Sequence, residues 1–459
     1  MQMRAITTLT IVCSTMLVGA CASLDSQVQG SHRDYTELAS AHRVTMGSWT
    51  TPRTESGAAL TLDQMISSPT LQQLISQALD ANPSLQQTLT TLKIYRAQAR
   101  QTAGNAKPSV EAGLSGEKGE HSDTSYSGTV SVQWQLDLWR SLSDRSAAVQ
   151  KDVEQQQLLY QAARDSLAAQ VMDAWISLIA QQRSIAIQQS RIDSLARTEG
   201  FIVQRYRSGV GEIDDLENAR SNLSSAKATL EALQESLLQQ HRDLANLLGQ
   251  SATRDIAIAA EFPSVELAIA RTPNQTLANR PDLQGAYAAI EAAGLRSQAA
   301  YKDLLPSFSL QAALTDVASS PRQALLTDPV WSLLGQLTAP LYQGGKLRAN
   351  AEAAQLEAAL AYYSYKETLL TAITEVENAL SAERSLNLQQ QHTQAALDSA
   401  QSSLEQYRSS YRSGLASIID LLTIEQQTYD LASQLNDLTY QRLANRINLG
   451  LSLGLRSSQ

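Results

Sequence analysis

Long apolar segments are missing from this chain of 459 residues. No stretch approaches the roughly 18 apolar residues of a membrane-spanning helix, which excludes an inner-membrane helix bundle. Aromatic residues make up only 5% of the chain, whereas Ala, Leu, Gln and Ser are abundant, and this composition favours long helices. Basic residues are outnumbered, with 36 Lys and Arg against 45 Asp and Glu. The net charge of -9 argues against a nucleic-acid partner.

Cysteine is also scarce, and its two positions, Cys13 and Cys21, both lie near the start of the chain. Residues 1–20 have the pattern of a secretory signal, with Arg4 ahead of a short apolar run and small residues at the end. The junction at residues 17–21 (LVGAC) resembles the lipobox of bacterial lipoproteins. That resemblance implies cleavage before Cys21 and a covalent lipid on its thiol. The alternative is an ordinary signal followed by a chance cysteine.

Residue patterns typical of enzymes and metal sites are not found either. The five His residues are scattered without the spacing of metal ligands. The segment Gly344-Gly345-Lys346 lacks the upstream Gly and the following Ser or Thr of a phosphate-binding loop. A Gly-x-Ser-x-Gly nucleophile turn is absent as well. The sequence therefore predicts no enzyme, no metal site and no cofactor other than the lipid on Cys21.

An internal duplication organises the chain. The run Tyr206-Arg-Ser-Gly209 recurs as Tyr411-Arg-Ser-Gly414, 205 residues later, and other matches follow in the same order at similar offsets. Each repeat reads as a helix, a strand pair, a long helix, a tight break and a second helix. The predicted divisions are a signal peptide at 1–20, an N-terminal segment at 21–70, repeats at 71–250 and 276–455, and a linker at 251–275.

The predicted helices are unusually long. Residues 346–413 contain neither Gly nor Pro and would span ~100 Å as one helix. Residues 212–248 and 415–449 are also free of Gly and Pro, and each would span roughly 55 Å. Apolar residues between 167 and 195 recur at steps of three, four and seven, which is typical of a coiled coil. Such helices cannot fit inside a compact globule.

Four short segments alternate between apolar and polar residues, as half-buried strands do. They are predicted at about 109–117, 127–138, 307–315 and 330–342, and their lengths suit tilted transmembrane strands. A soluble sheet packed on a core would give the same alternation. Four strands cannot close a barrel, but three copies would supply twelve. The predicted fold is mainly α with a small β part, a trimeric twelve-stranded transmembrane β-barrel continuous with a periplasmic α-helical barrel.

These features together resemble the outer membrane factor family, the TolC-like exit ducts of Gram-negative bacteria, over nearly the whole chain after the signal. The resemblance is carried by the two repeats and by the break motifs at residues 206–220 (YRSGVGEIDDLENAR) and 411–422 (YRSGLASIIDLL). The lipobox and residues 136–139 (LDLW) resemble the lipoprotein, NodT/OprM-like branch of outer membrane efflux proteins. The resemblance implies a homotrimer that is lipid-anchored in the outer membrane and reaches into the periplasm. It implies no enzyme activity. The implied partners are outer membrane lipid, a periplasmic adaptor protein and an inner-membrane efflux pump.

The resemblance also implies two groups of site residues near the breaks. A periplasmic gate falls on Asp215, Tyr411, Asp420 and Thr423. Family members often carry an acid at the position of Thr423 and an Arg at that of Ala416, so the gate is expected to be weakly held. The simpler alternatives are that Asp420 caps a helix with Ser417 and that Tyr411 only packs between helices. Adaptor docking falls on the turns at Gly209, Val210, Gly414 and Leu415.

The function predicted from these observations is that of a passive exit duct in a tripartite efflux system, exporting small molecules such as drugs. Within the same family the alternative is a duct for type I protein secretion. From another class, the chain could be a periplasmic coiled-coil scaffold whose strands form a soluble sheet. The lipobox favours efflux over protein secretion.

Overall fold

The computed structural model describes residues 35–44, 61–121, 123–251, 259–265 and 277–457. The predicted signal peptide, Cys21 and most of the predicted linker at 251–275 lie outside the described residues.

The described part of the chain is mainly helical. A short 3-10 helix, Leu62–Met65, precedes the second of eight α-helices. The helices are α1 (Tyr35–Val44), α2 (Pro69–Ala81), α3 (Pro83–Gly104), α4 (Ser141–Arg207), α5 (Ile213–Leu247), α6 (Pro281–Lys302), α7 (Lys346–Arg412) and α8 (Ile418–Ser452).

The two halves of the chain repeat the same elements with the same helix lengths. Helices α3 and α6 each have 22 residues, α4 and α7 each have 67, and α5 and α8 each have 35. Both 22-residue helices begin at a proline, which is favoured at the first helical position because its missing N–H would have no partner there. The predicted internal duplication is therefore confirmed.

A four-stranded sheet lies between the helices along the chain. Its strands are β1 (Ser109–Glu117), β2 (Ser125–Leu136), β3 (Ser307–Ala318) and β4 (Val330–Thr338), in the order β1-β2-β3-β4, and every neighbouring pair is antiparallel. The strand pairs of the two repeats therefore join through β2 and β3, which leaves β1 and β4 as edges.

Four of the predicted strand ends were wrong, and the first of them is the start of β2, which lies at Ser125 rather than 127. Strand β2 stops at Leu136 rather than 138, because the Asp137 carboxylate accepts from the backbone N–H groups of Leu142 and Ser143, at 3.0 and 2.8 Å, and so caps α4. Strand β4 stops at Thr338 rather than 342, shortly before Pro340, which has no N–H to donate. Strand β3 continues past 315, since its register with β2 extends to the pair Tyr126–Ala318.

The chain divides into two compact units. The first contains the sheet and comprises Met1–Thr45, Thr91–Leu158 and Leu283–Thr368. Within it, ion pairs join the start of α4 to α6: Lys151 to Glu291 at 2.9 Å, and Asp152 to Arg296.

The second unit comprises Met46–Thr90, Leu159–Asp282 and Leu369–Gln459, and it holds the main apolar core. Fully buried side chains of α4, such as Met172 and Ile176, belong to one cluster with Val376 of α7 and Ile447 of α8. The 3-10 helix and α2 add Leu62, Met65 and neighbours to the same cluster. Both repeats therefore contribute to one core.

Candidate functional site

The sheet has one apolar and one polar face. Because directly paired residues share a face, the register places Ala112, Val130, Leu314 and Trp331 on the same side. The residues between them, including Glu111, Ser131 and Ser332, share the opposite side. All nine residues of β1 and all nine of β4 are exposed in the single chain. The structure therefore presents a two-faced sheet in which the outer edges of β1 and β4 have no partner strand among the described residues.

The second candidate region surrounds the two helix breaks, α4–α5 and α7–α8. Gly209 and Gly414 have φ values of 78° and 75°, a left-handed conformation that glycine adopts without steric cost. The backbone N–H of Val210 donates to the Arg205 carbonyl at 3.0 Å, and that of Leu415 donates to the Ser410 carbonyl at 2.8 Å. Each bond closes the C-terminus of the long helix in a Schellman arrangement.

The turns present their apolar side chains to solvent. Val210 is 69% exposed and Leu415 is 84% exposed. Ile419, in the first turn of α8, is also exposed. Single exposed apolar residues are ordinary, but the concentration of several at the two equivalent turns is typical of a surface that contacts a partner.

Of the predicted gate residues, Tyr411 is buried, with 5% of its surface exposed. Its ring centroid lies 6.1 Å from that of Phe201, and the Arg205 guanidinium carbon lies 5.2 Å from the Tyr411 ring. Burial raises the pKa of Tyr411, the Arg205 charge opposes this rise, and the nearby Asp215 charge adds to it. Tyr411 therefore lies in an aromatic and cationic environment, where the Asp215 charge also acts on it.

Asp420 and Thr423 lie on the exposed side of α8. The Ser417 hydroxyl accepts from the Asp420 backbone N–H at 3.1 Å and donates to the Asp420 carboxylate at 2.8 Å. This is the predicted capping interaction, and it starts α8. The Thr423 hydroxyl donates to the Ile419 carbonyl at 2.7 Å. Within one chain, therefore, both residues contact their own helix.

A buried polar cluster, Ser194 of α4, Arg408 of α7 and Glu425 of α8, was missed in the sequence. Arg408 donates to Glu425 Oε1 at 3.3 Å, the Ser194 hydroxyl also donates to that oxygen, and Arg408 donates to Ser194 Oγ. The sequence did carry a signal for the burial of Glu425. One buried face of α8 follows a three-four spacing that includes Glu425, and its members are Ile418, Leu421, Glu425 and Thr428. Glu425 occupies an apolar position of a coiled-coil pattern.

Neither a metal site nor a membrane-spanning helix is present among the described residues. Among them, no group of three or more His, Cys, Asp or Glu side chains is arranged to hold a metal ion. Within the same ranges, none of the helices combines the length and apolar character needed to cross a membrane.

Comparison with known proteins gives consistent matches along the chain. The profile described as "Outer membrane efflux protein" matches residues 74–250 and 272–455. The "Probable outer membrane lipoprotein SilC" of Salmonella typhimurium is 25% identical over 400 residues, covering 84% of this chain and 86% of that protein. The "Pyoverdine export outer membrane protein OpmQ" of Pseudomonas putida is 25% identical over 433 residues, covering 88% and 91%.

Solved structures show the same fold. The open-state MtrE outer membrane channel of Neisseria gonorrhoeae superposes with a TM-score of 0.82 at 23% identity, over 90% of this chain and 96% of that one.

Proposed function

The chain belongs to the outer membrane efflux protein family, and from that membership we propose that it works as a homotrimeric exit duct that receives small molecules from a periplasmic adaptor and an inner-membrane pump. It is an outer membrane efflux protein, and members of its family are transport channels. The family match favours a channel over a periplasmic scaffold.

The four-stranded sheet is the observation that supports the proposed trimer. In a lipid bilayer each unpaired backbone group costs several kcal/mol, so strands survive there only when a closed barrel removes their edges. Four strands with two open edges cannot meet that requirement, whereas three copies joined β1 to β4 would close a ring of twelve. The apolar face would then contact lipid, and the polar face would line the passage.

The first unit also carries an apolar stripe that supports subunit contact. Leu356, Leu360 and Tyr363 follow a four-three spacing on α7, and each is more than half exposed in the single chain. Water contact with three large side chains in a row is unfavourable in proportion to their apolar area. A neighbouring copy packed along α7 would remove that contact.

The helix breaks are the proposed functional ends of the duct. The exposed turns at Gly209, Val210, Gly414 and Leu415 offer an apolar docking surface for the adaptor. The proposed gate residues are Asp215, Tyr411, Asp420 and Thr423, with Asp420 supplying negative charge to a narrow aperture when three copies meet. Acylation of Cys21 would anchor the chain in the membrane, as the lipoprotein name of SilC suggests for that relative.

The cargo is proposed as small molecules rather than a folded protein. Relatives carry names such as pyoverdine export, cation efflux and antibiotic efflux protein, which span very different chemistry. A duct wall that accepts cargo from a selective pump needs no binding site for it, and this agrees with the range of those names.

Disulfide cross-linking between edge strands tests the arrangement. Glu111→Cys on β1 is combined in turn with Ser332→Cys, Leu334→Cys or Gln336→Cys on β4, all on the polar face. After mild oxidation of outer membranes we expect at least one pair to give covalent dimers and trimers and nothing larger. Purified trimers should conduct ions in planar bilayers.

Each single-cysteine variant serves as the control and should give no covalent trimer. Monomer bands alone from every pair, or a trimer that carries no current, would contradict the proposed function.

A further inference from the structure

The contact between α4 and α8 changes in chemistry along its length. Around Met172 and Ile176, α4 shares the main apolar core with Ile447 of α8. Closer to the helix breaks, buried polar contacts also join the two helices. The Asn436 amide donates to the Ala180 carbonyl at 2.9 Å, and the Tyr429 hydroxyl donates to the Ser190 carbonyl at 3.0 Å. A second apolar cluster, which includes Ile202 and Ile418, lies beyond them next to the breaks, and Leu422 of α8 also packs against a cluster that contains Ile192 and Leu195 of α4.

Glu425 is at the centre of this polar part. Only 1% of its surface is exposed, and its Oε1 accepts from both Ser194 of α4 and Arg408 of α7. Its Oε2 has no hydrogen-bond partner among the described residues. Arg408 also donates to the exposed Glu405 carboxylate, at 2.6 Å. The buried carboxylate of Glu425 therefore joins α8 to α4 of the first repeat and to α7.

Stability alone does not explain a buried charge at this position. Replacing a buried ion pair by apolar residues of similar volume is often neutral or stabilising, since the pair must give up its hydration. The alternative advantage of the charge appears when the helices separate. Water then hydrates Glu425, Arg408 and Ser194, whereas separated apolar side chains would be exposed at a cost proportional to their area.

We propose that Ser194, Arg408 and Glu425 form a releasable fastener, which holds α8 against α4 in the closed duct and which water replaces when the helices part near the breaks. The proposal rests on the channel function proposed above. The three residues are positioning residues, because they set the position of α8 without contacting the cargo. The apolar core around Met172 stays closed and holds the middle of α4 against the C-terminal part of α8.

Breaking the fastener should favour the open channel. In full-length trimers in planar bilayers, Glu425→Gln keeps the shape of the side chain but removes its charge. We expect the ratio of open to closed time to rise about tenfold, the scale of one lost hydrogen bond to a charged group. Arg408→Gln should act in the same direction, and the double variant should add little because both changes remove one link.

Glu405→Gln is the matched control. It removes the other carboxylate bound by Arg408, but that carboxylate is largely exposed and belongs to the same helix. We expect the gating of this variant to equal that of the wild type.

A second variant separates a fastener from an ordinary packing contact. Ser194→Ala with Glu425→Met makes the site apolar, while Arg408 retains Glu405. We expect a higher melting temperature together with a lower ratio of open to closed time. A contact with a structural role alone would raise the melting temperature without changing gating, so a stabilised variant that opens as readily as the wild type would overturn the proposal.

Unchanged gating in Glu425→Gln, beside a conducting wild type, would also overturn it. A wild-type trimer that carries no current would instead overturn the channel function on which the proposal rests.

Discussion

Asp165, on α4, shows how burial affects one carboxylate. Its Oδ1 accepts from the Ser457 backbone N–H at 2.9 Å, the Ser457 hydroxyl at 3.0 Å and the Gln161 amide at 2.9 Å. Burial nevertheless raises the pKa of Asp165, and these bonds and the Arg456 charge only partly offset the rise. Folding therefore raises the affinity of the Asp165 carboxylate for a proton relative to the unfolded chain.

The pH dependence follows from the sign of that shift. Because the folded pKa of Asp165 lies above the unfolded value of 3.8, its stabilising contribution is complete below that value and is lost as pH rises through the folded pKa. Asp165→Asn keeps an acceptor for Ser457 and removes the titration. We expect its melting temperature, relative to the wild type, to be higher at about pH 7 than at about pH 4 by on the order of 1–2 °C.

Thermal unfolding of the detergent-solubilised protein, followed by circular dichroism at both pH values, measures this difference. Asp173→Asn is a useful companion, since burial also raises the pKa of Asp173, against one hydrogen bond from Tyr440. Equal wild-type-to-variant differences at the two pH values would show that Asp165 titrates normally in the folded chain.

At the scale of the elements, the sequence predicted the helices better than the ends of the strands. A long segment without Gly or Pro leaves few alternatives to helix, and α7 ends at Arg412, one residue before the predicted 413. Helix α4 runs through Gly200, which is exposed and lies in the interior of a 67-residue helix. Strand ends depend on contacts made elsewhere, such as the Asp137 cap on α4, and alternation alone does not encode them.

At the candidate site, too, local features could be predicted from the sequence and contacts between distant residues could not. The turns at Gly209 and Gly414 could be predicted, because a left-handed residue after a helix calls for glycine. The capping of α8 by Ser417 and Asp420 was also readable, since both residues are local. The fastener could not be predicted, because Ser194 and Glu425 are 231 residues apart in the chain. Its pairing depends on how the two repeats pack.

The two roles of Asp420 can be separated within α8. Ser417→Ala removes the cap but leaves the charge, so the first turn of α8 should lose about 1 kcal/mol and exchange its amide hydrogens faster. Asp420→Asn removes the charge. We expect the preference of the channel for cations over anions to fall in Asp420→Asn and to remain in Ser417→Ala, as measured by reversal potentials in salt gradients.

Ser413→Ala provides a control for the first change, because the Ser413 hydroxyl, just after the end of α7, donates to the Ser409 carbonyl of that helix and does not cap α8. If Ser417→Ala reduced cation preference as much as Asp420→Asn does, the aperture role of Asp420 would be rejected in favour of capping alone.

At the scale of the whole molecule, the duplication has not produced two independent domains. The main core combines Met172 and Ile176 of the first repeat with Val376 and Ile447 of the second. The sheet likewise joins the repeats through β2 and β3, over eleven residue pairs from Tyr126–Ala318 to Leu136–Phe308. Each repeat alone would therefore leave half of a core and an additional strand edge exposed.

A chain cut between residues 270 and 271, with a signal peptide on each fragment, tests this dependence. We expect either fragment exported alone to be degraded, because neither can bury its part of the core. Fragments exported together should recover protease-resistant trimers, since the cut leaves the described core and all strand pairings intact. Protease digestion of isolated outer membranes, with the uncut chain as the reference, measures recovery. A first fragment that resists protease by itself would mean that the apolar contacts of α4 with α7 and α8 are dispensable, and the duplicated halves would then be domains in their own right.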